Sequence, residues 1–152
     1  MRLIVVAAGR GQDAPIDDLW HRYAARLTPR LELRLVGDKR RAAAGELKRR
    51  EARLLLDALP AGARVVALDE RGKALDSAAL ARRIGQWRDQ GVGEVAFVIG
   101  GADGLDESVL GRADLVLSLG PMTWPHQLAR VMLAEQLYRA HSILAGHPYH
   151  RA

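Results

Sequence analysis

The chain has 152 residues, 49% of them apolar and only 5% aromatic, which suits a single domain with a core built mostly from Leu, Val and Ala. Its 23 Lys and Arg stand against 18 Asp and Glu, and the resulting net charge of +5 suits either a polyanionic partner, nucleic acid first, or a basic soluble protein without one. There is no Cys, which excludes disulfides, thiolate metal sites and a Cys nucleophile.

The first apolar run, Leu3–Ala8, is too short for the hydrophobic region of a signal peptide and reads as a buried strand. Ile16, Leu19, Trp20, Tyr23 and Leu27 then recur at helical spacing. Leu31–Val36 is the second strand. It is followed by "KRRAAAGELKRREAR", residues 39–53, with seven Lys or Arg against two Glu. This segment reads either as a solvated helix face with pairs such as Glu46–Arg50, or as a surface that contacts phosphates. Leu47, Leu54, Leu55 and Leu59 place a helix over 46–59. A third strand follows at Arg64–Leu68, and Ser77 reads as the N-cap of a helix running to about Trp87. Val95–Ile99 and Leu115–Leu119 are the last two strands. Pro125 opens a long final helix to about Ala145, which Gly146 closes.

Strand and helix patterns alternate, which predicts a layered α/β fold. Several strands are nearly continuous in Val, Ile and Leu, as expected for a mainly parallel sheet covered on both faces. No run approaches the ~18 apolar residues of a membrane span, and a cytoplasmic protein is expected. In the final helix Leu128, Met132, Leu133, Leu137, Ala140 and Leu144 cover one face, and Val131, Ala134, Tyr138 and Ile143 widen it. So little polar surface remains that the helix must be central in the domain or shared with a second copy; a symmetric dimer is the expectation.

Three strands end in Gly- or Pro-rich exits: "DERGK" at 69–73, "GGADGLD" at 100–106 and "GPMTWPH" at 120–126. Ligands of open α/β sheets bind outside the carboxyl ends of strands, where glycine lets the backbone approach closely. Neither G-x-G-x-x-G nor the P-loop pattern is present, so a dinucleotide or a P-loop triphosphate is not supported. No Ser has a G-x-S-x-G setting. His147 and His150 are separated by Pro148 with no carboxylate nearby, and no metal is expected. The chain ends in "HPYHRA", whose Tyr149, His150 and Arg151 combine a stacking ring, a proton carrier and a phosphate-binding cation.

"IGGADGL", "SLGPMTWPHQLARVMLAEQLYRA" and the terminal "HPYHR" resemble the bacterial ribosomal large-subunit pseudouridine N3-methyltransferases, which belong to the SPOUT class. The resemblance covers essentially the whole chain, 1–152, as one domain. It implies an α/β knotted fold with a C-terminal trefoil knot, a homodimer, and S-adenosylmethionine as methyl donor. The implied substrate is a pseudouridine of large-subunit RNA in the assembled ribosome. By position, the donor site would be formed by Leu68, Gly100, Leu119, Gly120, Pro121, Met122, Thr123 and Trp124. The acceptor N3 carries a proton that must leave, so a base or an anion-stabilising group is needed. His126, Arg130, Glu135, Tyr149, His150 and Arg151 are the available groups. The expectation is that Tyr149, His150 and Arg151 reach into the partner's donor site, with Arg130 in support. The basic segment after Gly37 resembles a variable stretch of the family. The alternative is a non-catalytic RNA-binding or ribosome-associated module; a small-molecule hydrolase is a distant third.

Overall fold

The computed structural model describes residues 1–9, 13–37 and 42–150. Five strands, β1 (Arg2–Ala8), β2 (Glu32–Val36), β3 (Arg64–Ala74), β4 (Glu94–Ile99) and β5 (Leu115–Ser118), form one sheet in the order β2-β1-β4-β3-β5. All four pairings are parallel, with Ile4 opposite Glu32, Val5 opposite Phe97, and Val66 opposite both Phe97 and Leu115. The helices are α1 (Ala14–Ala24), α2 (Ala44–Asp57), α3 (Ser77–Asp89), α4 (Glu107–Arg112) and α5 (His126–Ala145), followed by a 3-10 turn at Pro148–His150.

The alternation of strand side chains explains the continuous apolar runs. On one face Val5, Ala7, Val66, Phe97 and Leu117 pack against Trp20, Ala24, Leu80, Ile84, Leu133 and Leu137 from α1, α3 and α5. On the other, Ile4, Val6, Val65 and Val98 pack against Ala52, Leu55 and Val109 from α2 and α4. The central stretches of β1, β3 and β4, covered on both faces, therefore need apolar residues at consecutive positions, whereas the edge strand β2 carries Glu32 and Arg34. Phe97, Leu133 and Leu137 are fully buried, each contributing about 1.5–3 kcal/mol relative to exposure.

Several expectations are adjusted. Asp76, not Ser77, caps α3: its carboxylate accepts the Ala79 N–H at 2.7 Å, and Ser77 is the first helical residue. Leu27 lies beyond α1 yet is buried in the core. The third strand does not stop at Leu68. It detours through Asp69–Gly72 and resumes, so that Leu68 and Lys73 both register with Leu117. The short α4, capped by Asp106 accepting from the Ser108 N–H, has no counterpart in the predicted elements.

The final helix meets its predicted ends: Pro125 precedes it, and Gly146 closes it at φ +71. Gly146 N–H donates to the Ile143 carbonyl at 3.2 Å and His147 N–H to that of Ser142 at 2.8 Å, a left-handed cap that turns the chain back. The 3-10 turn consequently lies against α5. The helix is central on its face, packed by α1 and α3, with Leu133, Leu137 and Ala140 buried. Leu128 remains 37% exposed, and Met132 lines an apolar cavity of about 700 Å³ with Leu19, Tyr23, Leu75, Leu80 and Val131.

In the basic segment, Lys39, Arg40 and Arg41 lie outside the described residues. Within α2, Arg50 donates to Glu46 at 2.6 Å, the expected i,i+4 pair, with the Arg50 side chain only 22% exposed. No helix among the described residues is long and apolar enough to cross a membrane.

Candidate active site

The exits of β3, β4 and β5 converge on one cavity of about 480 Å³. Its apolar wall comes from Leu68, Ile99, Leu117 and Leu119, and Met122 and Trp124 also line it. Met122 is 70% exposed and Trp124 38%, so both offer apolar surface to a molecule seated in the cavity. Of the residues expected at a donor site, Leu68, Gly100, Leu119, Gly120, Met122, Thr123 and Trp124 all line the cavity. Pro121 sits between lining residues without being one of them.

Each wall has a local reason for its shape. After β4, Gly101 and Gly104 bridge to one another, Gly104 N–H donating to the Gly101 carbonyl at 3.0 Å with Gly104 at φ +78. The turn is so tight that a Cβ on Gly100 would lie 2.6 Å from the Gly104 carbonyl oxygen. After β5, Gly120 takes φ +109, and the Ser118 hydroxyl holds it from both sides. That hydroxyl donates to the Gly120 carbonyl at 3.1 Å and accepts the Gly120 N–H at 3.0 Å. In the β3 detour, a Cβ on Gly72 would meet the Val116 carbonyl oxygen at 2.5 Å. Gly100, Gly101, Gly104 and Gly120 line the cavity with bare backbone, while Gly72 and Gly100 are also held tightly against the protein's own carbonyls. That is a cradle suited to a flat, apolar-faced group with polar edges.

Charged and polar groups ring the cavity, and the sequence did not single most of them out. Lys48 comes from α2, Asp69, Glu70 and Arg71 from the detour, Asp103 from the glycine turn and His126 from the start of α5. The Asp69 carboxylate accepts from the Arg71 backbone N–H and from Nε and a terminal nitrogen of its guanidinium, all at 2.9 Å. The Arg71 hydrogen bonds hold Asp69 below its ordinary carboxylate range. Behind the glycine turn lies Glu51, whose carboxylate oxygens are 3.0 and 3.1 Å from the place a Gly101 Cβ would occupy. Burial, then the nearby Asp103 charge, push Glu51 upward. The His126 ring stands at the end of β1, its Nε2 3.5 Å from a Cβ built on Gly9.

Of the expected catalytic groups, Arg130 and Tyr149 do not line this chain's own cavity. Arg130 is only 2% exposed within α5 and does not line the cavity; its Nε has no hydrogen-bond partner among the described residues. Burial pushes its guanidinium down, partly offset by Asp17. Tyr149 also stays out of its own chain's cavity. Its hydroxyl donates to Glu135 Oε1 at 3.1 Å, and its ring stands edge-on to Tyr138 with centroids 4.5 Å apart. His150 ends the 3-10 turn, and Arg151 lies outside the described residues. Among the described residues no group of three or more His, Asp or Glu could hold a metal ion.

Comparison with known proteins gives the fold its family. A family model described as "Predicted SPOUT methyltransferase" matches residues 1–150. "Ribosomal RNA large subunit methyltransferase H" of Rhodospirillum centenum is 60% identical over 152 residues, covering all of both chains. Among solved structures, the "Probable Methyltransferase" from Bordetella pertussis has a TM-score of 0.59 at 18% identity, covering 91% of this chain and 95% of its own. The SpoU methyltransferase AviRb from Streptomyces viridochromogenes, solved in complex with AdoMet, has a TM-score of 0.50 at 13% identity, covering 92% of this chain and 58% of its own. With a full-length match to the family model, a full-length relative at this identity and a parallel sheet whose strand exits converge on one glycine-lined cavity, the chain belongs to the SPOUT methyltransferase family.

Proposed function

We propose that this enzyme methylates large-subunit ribosomal RNA with S-adenosylmethionine as donor, at N3 of a pseudouridine in the assembled ribosome. It would act as a cytoplasmic homodimer. The observation that carries this reading is the cradle. Three strand exits converge on one cavity, and Gly100, Gly101, Gly104 and Gly120 present backbone in its lining. The full-length relative named for ribosomal RNA methylation supplies the substrate class.

Leu68, Gly100 and the run Leu119, Gly120, Pro121, Met122, Thr123 and Trp124 would hold the donor. When bound, S-adenosylmethionine supplies an electrophilic methyl group on a sulfonium. The chain's task is then to fix the acceptor N3 in line, exclude water and remove or neutralise the N3 proton. Exposed Met122 and Trp124 suit water exclusion, since both would be covered once the site is filled. The proton falls to the C-terminal tail. Neither Arg130 nor Tyr149 lines the cavity of its own chain, so the tail would serve the site of a second copy. The exposed apolar surface around Leu19, Leu128 and Met132 is the face on which that copy would pack. On the same reading the C-terminal segments belong to the knot.

The test is methyl transfer itself. Folded protein, labelled donor and ribosomes lacking the modification should yield label at N3 of a large-subunit pseudouridine. Salt-dependent RNA binding without incorporation would replace the enzyme with a non-catalytic binding module.

A further inference from the structure

We infer that Glu135 is a positioning residue that moors the C-terminal tail through Tyr149, so that Tyr149 anchors the tail and leaves the work on the substrate to His150 and Arg151. The inference rests on the proposed methyl transfer only for the tail's part in the reaction.

The mooring is a connected set of contacts on one side of α5. The Tyr149 hydroxyl donates to Glu135 Oε1 at 3.1 Å. Arg139, one turn further along the helix, donates to the same oxygen and lies 5.2 Å from the Tyr149 ring centroid. Gln136 donates to the other carboxylate oxygen at 3.0 Å, and its own amide oxygen accepts from the Ser77 hydroxyl at 2.6 Å. Glu135 is thereby fixed from three directions and tied to the start of α3. Tyr138 closes the ring contact on Tyr149, and Arg26 stacks 5.4 Å from Tyr138.

This arrangement fits an anchor and does not fit a proton acceptor. A phenol that donates to a carboxylate must keep its proton, and burial together with Glu135 raises Tyr149 to about 12. At neutral pH it is a neutral hydroxyl already engaged by Glu135, and it does not line its own chain's cavity. The αL cap at Gly146 reverses the chain, and the 3-10 turn seats Tyr149 against α5.

The chain has no native Cys, so a nitroxide on Ala152→Cys reports tail motion alone. In the full-length protein the label should be restricted. Glu135→Ala should release it and lower kcat by roughly 10-fold or more through lost positioning, with donor KM changed less than about twofold. Glu135→Gln keeps an oxygen that accepts from Tyr149, and should restore most of both signals. Tyr149→Phe keeps the ring and should give a partial version of the Ala result. A loss of more than about 1,000-fold in Tyr149→Phe with the label still restricted would make Tyr149 a proton-transfer group and overturn the inference. A restricted label in Glu135→Ala would overturn it as well. Truncation after Gly146 separates the two readings: full activity there removes the tail from the proposed reaction, whereas the label spectra still decide the mooring.

Discussion

Replacing Gly100 with Ala tests whether the backbone cradle holds the donor. The added methyl would sit 2.6 Å from the Gly104 carbonyl oxygen and 3.1 Å from Leu105 Cδ2. An ordinary carbon–oxygen contact needs roughly 3.3 Å, so the turn must open by about 0.7 Å. Neither neighbour yields easily: Gly104 is bonded to Gly101, and Leu105 is buried at 2% exposure. Overpacking of this kind costs about 1–3 kcal/mol, and at this chain length it lowers Tm by about 2–12 °C. Displacement of a cavity wall by most of an ångström should weaken the donor's affinity by roughly 10- to 100-fold. Calorimetric titration with S-adenosylmethionine beside thermal melts reads both effects. Gly93→Ala is the control, because nothing lies within 4 Å of its added methyl. Unchanged donor affinity in Gly100→Ala, alongside the expected fall in Tm, would refute the cradle.

Glu51→Gln should change stability in a pH-dependent way. The folded protein raises Glu51, so this group favours folding below its unfolded value near about 4.3 and loses that contribution as pH rises through the folded value. The amide variant should therefore be the more stable at pH 7 by urea unfolding, with the gap closing toward pH 4. Trp20 and Trp87 are buried while Trp124 is 38% exposed at the cavity, so donor binding should alter tryptophan emission in the native chain and not in Trp124→Phe. The proposed pairing of copies predicts a dimer by light scattering at micromolar protein; Leu128→Glu and Met132→Glu together should shift it toward monomer and reduce methyl transfer more than donor binding.

The strands and the final helix were readable because their causes are local. Val, Ile and Leu on both strand faces announce a covered parallel sheet, and Pro125 and Gly146 bracket α5 by backbone chemistry alone. The three exits were visible as Gly and Pro clusters, and seven of the eight residues carried over from the family resemblance do line the cavity. What escaped depends on the third dimension. "DERGK" has no strand pattern, and its path is set by Asp69 folding onto Arg71 and by Gly72 passing under Val116. Lys48 and Asp103 line the same cavity as His126, itself already a candidate, only because α2, the β4 exit and α5 converge. Glu135 was visible as one acidic group among several candidates. Its bond to Tyr149 depends on a helix cap that doubles the chain back over fourteen positions. The six-residue α4 is too brief for periodicity, although Asp106 before it is a legible cap.

The detour in β3 leaves the sheet at Leu68 and rejoins at Lys73 against the same neighbour, Leu117. A side-track of that geometry is neutral to the rest of the ladder. Lengthening or shortening it shifts no downstream pairing, so long as Gly72 keeps its passage beneath Val116. A change in the detour therefore re-indexes no strand, although its own path depends on Asp69 folding onto Arg71. That makes the detour a graft point for an engineer who wishes to alter what enters the site while leaving the scaffold alone.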